Sequence, residues 1–355
     1  MPRLSLLAGC LCLLVAVHGQ HGVAGEQATR AASAARSLDD RLKSSTIELQ
    51  PTIQDGRRPV ITAVAIQPKG RILATAGDDH LVRIWNREDV RLLHTLRGHR
   101  DWVRTLAFSP DGTTLASAGD DRQVLTWNVA TGKQAAKFSP CDNAVNSIAY
   151  SPDGATLAAV GFDESLHLFV TSTGKLTKRI ATSCEDLRSV AYAPDGNRLA
   201  AAGRLGVVVV CDVSETNVRF EIRTSLKRVR GVAYSPDGST IVTAGEGHSI
   251  ETWDAATGES KGRFSSKPGK IHAFTFCGAE QFATGGADNA IRLWDLRRGA
   301  ELRQLRGHVG SVAALAYDST TDTLVSGGFD TAIRVWRLDD SNRQDTAAKD
   351  ETRTR

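Results

Sequence analysis

His99, Ser117, Asp121 and Trp127 bring a base, a hydroxyl, a carboxylate and an indole close together in the chain. Histidine beside a serine and a carboxylate is the set that activates a nucleophile for acyl transfer. The same four types recur at the same offsets as His308, Ser326, Asp330 and Trp336. Two copies far apart in one chain argue against a single active centre. They suit a structural use, because buried polar groups need partners and a closed network stiffens what it links. Other reactive patterns are missing: the sequence holds no CxxC pair, no HExxH and no GxxxxGK[ST] phosphate loop. Asp78–Asp79 and Asp120–Asp121 look like metal carboxylates. The second Asp of each pair falls in the column of the four-residue set, and the first is expected to be a solvated turn residue. No catalytic residue, metal ligand or cofactor is assigned.

The elements that carry these residues follow from a repeat, the pattern to seek before any other. Trp85, Trp127, Phe169, Cys211, Trp253, Trp294 and Trp336 are spaced 42, 42, 42, 42, 41 and 42 residues apart. Turns close at Gly70, Gly112, Gly154, Gly196 and Gly238, four of them after Pro-Asp and the first after Pro-Lys. Proline presets the first central turn position, and glycine accepts the left-handed conformation that other residues resist. The sixth repeat replaces this turn with a shorter Cys277–Gln281 segment, which accounts for the single spacing of 41. Between the turns lie short runs such as Val103–Phe108 and Thr114–Ala118, rich in Val, Ala, Thr and aromatics, which predict strands. No helix of ten residues fits inside a repeat.

On these residues the chain resembles the WD-repeat β-propellers. The motifs are Gly98-His99 and Gly307-His308 before an inner strand, and Trp253-Asp254 and Trp294-Asp295 at the end of a third strand, with Trp85-Asn86 and Trp127-Asn128 as near variants. The resemblance spans residues 46–337 and implies an all-β fold, a single seven-bladed propeller of four-stranded antiparallel blades. It also implies that His99, Ser117, Asp121 and Trp127, and likewise His308, Ser326, Asp330 and Trp336, are buried structural tetrads. The other repeats keep less. The first has Thr75, Asp79 and Trp85 with Arg57 in the histidine place. The third keeps Asp163, the fifth Thr243 and Trp253, the sixth Thr284, Asp288 and Trp294, and the fourth none. Blades 3 and 4 are therefore expected to rest mainly on apolar packing and to open first. After Trp336 the chain is too polar to supply an outer strand, whereas Thr46–Gln50 can supply it. An N-terminal strand on the last blade would close the ring and remove its exposed edges.

The resemblance further implies that ligands sit on the rim built by loops leading into the inner strands and by the residue before the tetrad Asp. Carried over by register, these columns give Trp102, Arg104, Asn146, Phe162, Arg188, Arg204, Arg228, Arg230, Lys270, His272 and Phe329 as binding residues. Trp and Arg most often carry interface energy. The basic arc on blades 4 to 6 suggests a protein or peptide partner of acidic character.

Residues 1–25 have the layout of a secretory signal. Arg3 is followed by the apolar run Leu4–Val17 and then by small residues, with Gly19 or Gly25 as possible cleavage points. Fourteen apolar residues are short of the ~20 that a spanning helix needs. Export to the periplasm or the exterior is expected, with an uncleaved or lipidated N-terminal anchor as the alternative. Residues 26–45 read as a polar lead-in and 338–355 as a disordered polar tail. Removing the leader leaves Cys141, Cys184, Cys211 and Cys277, far apart in sequence; they are read as free, buried thiols. The whole chain carries 44 Lys+Arg against 40 Asp+Glu, a net charge of +4. That near balance speaks against a nucleic-acid binder. The reading is a monomeric, non-enzymatic protein-interaction scaffold. The alternative is an exported propeller enzyme, of the hydrolase or lactonase kind, working with groups at the channel mouth.

Overall fold

The computed structural model describes residues 45–48, 56–138, 141–215, 217–247, 249–265 and 270–338. The leader, nearly all of the lead-in and all but Leu338 of the tail lie outside the described residues. The described residues form seven four-stranded antiparallel sheets and no helix. No helix among them is long and apolar enough to cross a membrane. Blade 2 is typical, with strands Val103–Phe108, Thr114–Gly119, Val124–Asn128 and Gln134–Lys137 running outward from the axis.

Inner strands of successive blades pack side by side around the axis, and the seventh, Val312–Asp318, packs against the first, Ile61–Ile66. The seventh sheet takes its outer strand from the start of the chain. Ser45–Glu48 pairs antiparallel with Ala332–Arg337, Ile47 opposite Ile333. The Arg334 guanidinium donates to the Thr46 hydroxyl at 2.8 Å across that closure. The ring is therefore a closed seven-bladed β-propeller.

The core lies between blades rather than within them. The middle strands are nearly continuous apolar runs, such as Val207–Val210, because both of their faces are covered. The aromatic column packs onto the preceding blade. Trp127 sits among Ala74, Val82, Ile84 and Leu96 of blade 1, and Trp85 joins Val325 and Ile333 of blade 7. Where blade 4 has Cys211, this small buried thiol packs with Leu168, Ile180 and Leu199.

Candidate interaction face

At one end of every blade, two sequence columns meet. The backbone N–H of Asp120 donates to the Trp102 carbonyl at 2.9 Å, Phe162 to Ala144 at 3.1 Å, Arg204 to Asp186 at 3.0 Å and Phe329 to Ser311 at 2.9 Å. Such a close approach demands glycine at the residue before. A Cβ on Gly119 would lie 1.9 Å from the Trp102 carbonyl oxygen, and one on Gly203 would lie 1.8 Å from that of Asp186.

The third column is aimed by a backbone irregularity. Each inner strand carries one β-bulge, and the bulged residues are Thr62, Arg104, Asn146, Arg188, Arg230, His272 and Ala313. A bulged residue leaves the ladder and its side chain is redirected. These seven line a polar cavity of about 390 Å³ on the axis. The sequence showed the column but not the bulges.

The basic arc is a network of ion pairs rather than bare charge. Arg104 binds Asp120 through Nε at 2.9 Å and Nη2 at 2.6 Å, with its guanidinium 4.6 Å from the Trp102 ring centre. Arg188 donates from Nη2 to Asp186 at 2.9 Å, its Nε makes a 2.6 Å ion-pair contact outside hydrogen-bond geometry, and its guanidinium lies 4.2 Å over the Phe162 ring. Arg230 grips Glu246 through Nε at 3.0 Å and Nη2 at 2.5 Å, and Arg228 adds contacts to Glu246 at 3.4 Å and Asp186 at 3.9 Å. Burial works against ionisation of Glu246, but Arg230 and Arg228 outweigh it and hold the carboxyl below its usual range. Arg204 is half-exposed, 3.7 Å from Glu185. Lys270 is exposed and bridges by backbone to Glu246. Blades 4 to 6 thus set Arg188, Arg204, Arg228, Arg230 and Lys270 against Asp186, Glu185 and Glu246. Burial, with Arg230 second, holds His272 below its ordinary 6.5. Phe329, on blade 7 beside the end of this arc, has more than half its surface exposed, near the exposed Val309.

Beneath this face lie the polar networks. In blade 2, His99 Nδ1 is 2.9 Å from Asp121 and Nε2 is 2.7 Å from the Ser117 hydroxyl, which also accepts from Trp127 Nε1 at 2.8 Å. Blade 7 repeats this with His308, Asp330, Ser326 and Trp336 at 2.9, 2.7 and 2.9 Å. Burial opposes the charge on Asp121, but its bond to His99 prevails and keeps the carboxyl low; burial pushes His308 down. Asp121 and Asp330 also accept the backbone N–H of Arg100 and Val309, each at 3.0 Å, which ties down the incoming loop.

Other blades reach the same end with residues that the sequence reading overlooked. In blade 5 the buried Glu251 accepts from the Ser225 N–H at 3.1 Å, from the Ser225 hydroxyl and from the Ser249 hydroxyl at 3.0 Å. In blade 1 Asp78 accepts from the Val60 N–H at 2.9 Å and from Arg57 at 2.6 Å. Asp78 is buried, not the solvated turn residue that the sequence suggested. Arg83 pairs with Asp79 and Arg292 with Asp288, each at 2.6 Å. The available signal was a charged residue two places before the Trp column, in a strand otherwise apolar. Blade 3 holds His167 there, near Asp163, with Cys141 close to the same Asp. Burial drives the Cys141 thiol up to about 12. All four described cysteines are free and buried. Among the described residues no His, Cys, Asp and Glu cluster could hold a metal ion.

The family model described as "WD domain, G-beta repeat" (WD40) matches residues 49–86, 90–128, 132–169, 220–254, 258–295 and 299–337, more than half of the chain. This chain belongs to the WD40 repeat family. The unmatched stretch, 170–219, holds most of the one WD40 blade without a tetrad residue, where Leu205 and Cys211 replace Asp and Trp. Curated relatives match over short segments. The chain is 43% identical over 51 residues to mitochondrial division protein 1 of Mycosarcoma maydis, covering 14% of this chain and 6% of that protein. It is 42% identical over 60 residues to ribosome biogenesis protein YTM1 of Eremothecium gossypii, 17% and 13% of the two chains. It is 32% identical over 75 residues to a chromatin assembly factor 1 protein of Mus musculus, 19% and 13%. The chain thus spans well under a fifth of each of these relatives.

Proposed function

We propose that this WD40 propeller is a protein-interaction scaffold, docking a protein or peptide partner on the face where the two columns and the channel mouth meet. The carrying observation is the collection of rigid anchors at that face. Arg104 and Arg188 are each fixed between a carboxylate and an aromatic ring, and Phe162, Leu205, Val309 and Phe329 are exposed around them. Leu205 supports the reading independently. It holds a left-handed φ of 61°, costly for a leucine, while its side chain is 73% exposed and buries little in return. The relatives are named for chromatin assembly and ribosome biogenesis, and a scaffold role is in keeping with those names.

The test is site-specific photo-crosslinking in the native host. A photoreactive residue replaces Leu205 or Phe329, and in parallel Pro194 or Asp237 at the turns on the opposite face. Adducts with one partner protein from the first pair only are expected. Adducts from the opposite face only would overturn the reading. Export belongs to the same proposal and rests on the apolar run Leu4–Val17 after Arg3. Terminal sequencing of the mature protein from fractionated cells should show a start beyond Gly19; an intact Met1 on a cytoplasmic protein would refute it.

A further inference from the structure

The wall of the axial cavity has a chemistry of its own. Three of its bulged residues are Arg104, Arg188 and Arg230, accompanied by Thr62, Asn146 and His272, and among the described residues no Asp or Glu lines it. The carboxylates that bind these arginines stand behind the wall; they take the Nε–Nη2 edge of Arg104 and Arg230 and the Nη2 of Arg188. Among the described residues the Nη1 groups of Arg104 and Arg230 have no hydrogen-bond partner, and that of Arg188 has only Asn146 Oδ1 at 3.5 Å. Three guanidiniums are therefore held in fixed orientation with donors to spare, around a polar space of about 390 Å³. Fixing a side chain in advance removes the entropy loss that usually weakens binding. A guanidinium edge suits the paired oxygens of a carboxylate.

We infer that the mouth of the channel is a binding site for carboxylate groups, held by Arg104, Arg188 and Arg230 with the Asn146 amide as a neutral partner. Carboxylates suit it better than a more concentrated charge, because the surrounding arc of blades 4 to 6 exceeds its own acids by only two positive charges. The site goes beyond the docking proposal and stands whether or not a protein covers the face. The carboxylates come from a free polycarboxylate or from acidic side chains of a peptide.

Calorimetry on the full chain at low ionic strength distinguishes the sources. The probes are tricarballylate, a glutamate-rich octapeptide with an amidated end, and inorganic phosphate. Saturable binding of tricarballylate assigns a small-molecule site; binding of the peptide alone assigns a protein-derived carboxylate; either supports the inference. Arg230→Gln should weaken binding about tenfold, the loss of one charge-assisted bond. Because Arg230 also holds Glu246, a second variant leaves every ion pair intact. Ala313→Glu places a competing carboxylate in the same bulge column and should weaken binding at least as much, with the melting temperature checked alongside. No saturable binding of either acid, binding indifferent to both substitutions, or phosphate binding as tightly as the acids would overturn it.

Discussion

Glu251→Leu tests the claim that blade 5 has replaced its tetrad by another network. Leucine is what blade 2 carries at this place, as Leu125, so the shape is tolerated in a WD40 blade. The substitution removes the acceptor for three donors. Ser225 is exposed and its N–H and hydroxyl turn to water, so they lose little. Ser249 is 2% exposed; its hydroxyl loses the carboxylate and keeps only a long, 3.3 Å contact to the Ser225 hydroxyl. A stranded buried donor costs about 1–3 kcal/mol. Arg263, 61% exposed at 3.6 Å, adds nothing of note. The net loss is about 2 kcal/mol, or about 3 °C in melting temperature for a domain of this size. Adding Ser225→His and Gly247→Asp then rebuilds the blade 2 arrangement. The introduced imidazole meets the introduced carboxylate and the hydroxyl of Thr243, which already accepts from Trp253 Nε1 at 3.1 Å. Gly247 has no left-handed φ, and an added Cβ would come within 2.7 Å of the end of the Leu226 side chain, which must shift to admit it. Calorimetric melting of the three proteins should give a drop for the single variant and recovery of at least half of it for the triple variant. A single variant melting like the parent, or a triple variant no better than the single, would refute the equivalence of the two networks.

Acid should weaken the propeller. Burial holds His167, His272 and His308 below 6.5, so the unfolded chain takes up protons near pH 6.5 while the fold does not. Stability is complete above that pH and falls below it, by at most about 1.4 kcal/mol per group per pH unit; urea midpoints at pH 7.5 and 5.5 check it, and an equal or higher midpoint at 5.5 contradicts it. The depressed Asp121 carboxyl acts lower, its contribution fading as pH drops below 3.8. Ser117→Ala leaves Trp127 Nε1 and His99 Nε2 without their shared partner and should cost about 2 kcal/mol, with crosslinking at the docking face unchanged. Ser147→Ala with Ser189→Ala removes acceptors for the N–H groups of Val190 and Val232, bonded at 3.3 and 3.1 Å. Hydrogen exchange in blade 4 should accelerate more than in blade 7; uniform acceleration would sink the claim that these hydroxyls anchor that blade.

The ring was legible because its signals are periodic. The Trp column, the Pro-Asp-Gly turns and the polar tail with a strand-forming Thr46–Gln50 at the other end led to seven closed blades, which is what the strand order shows. Two things escaped for physical reasons. Scoring each repeat against the best copy treats a missing His or Asp as a loss, and so hides Glu251, Arg83 and Arg292, which serve the same need from the neighbouring strand. The second was the neutralisation of the basic arc. Arg104 and Asp120 are sixteen residues apart, as are Arg230 and Glu246, and only the pairing of inner and second strands makes them neighbours. Charge counted along a column overstates the field that a partner meets.

The unevenness of the blades has a pattern that the tetrads alone do not reveal. A buried carboxylate catches the incoming loop in blade 1 through Asp78, in blade 2 through Asp121, in blade 5 through Glu251 and in blade 7 through Asp330. Among the described residues blade 4 has no such catch; its Cys184 thiol makes only long contacts to the carbonyls of Asp186 and Arg204, at 3.7 and 3.5 Å. Blades 3 and 4 are instead stitched to their neighbours. Thr105, Ser147 and Ser189 each accept the N–H of the next inner strand, at Ile148, Val190 and Val232, while the same column is Ala or Gly in blades 1, 5, 6 and 7. Polar anchoring has thus moved from within the blade to the seam. The blades anchored at the seam are also those whose rim carries Asn146, Phe162, Asp186 and Arg188. Blade 4 keeps neither the His nor the Asp of the tetrad and blade 3 keeps only Asp163, so the rim can change there without unmaking the blade beneath.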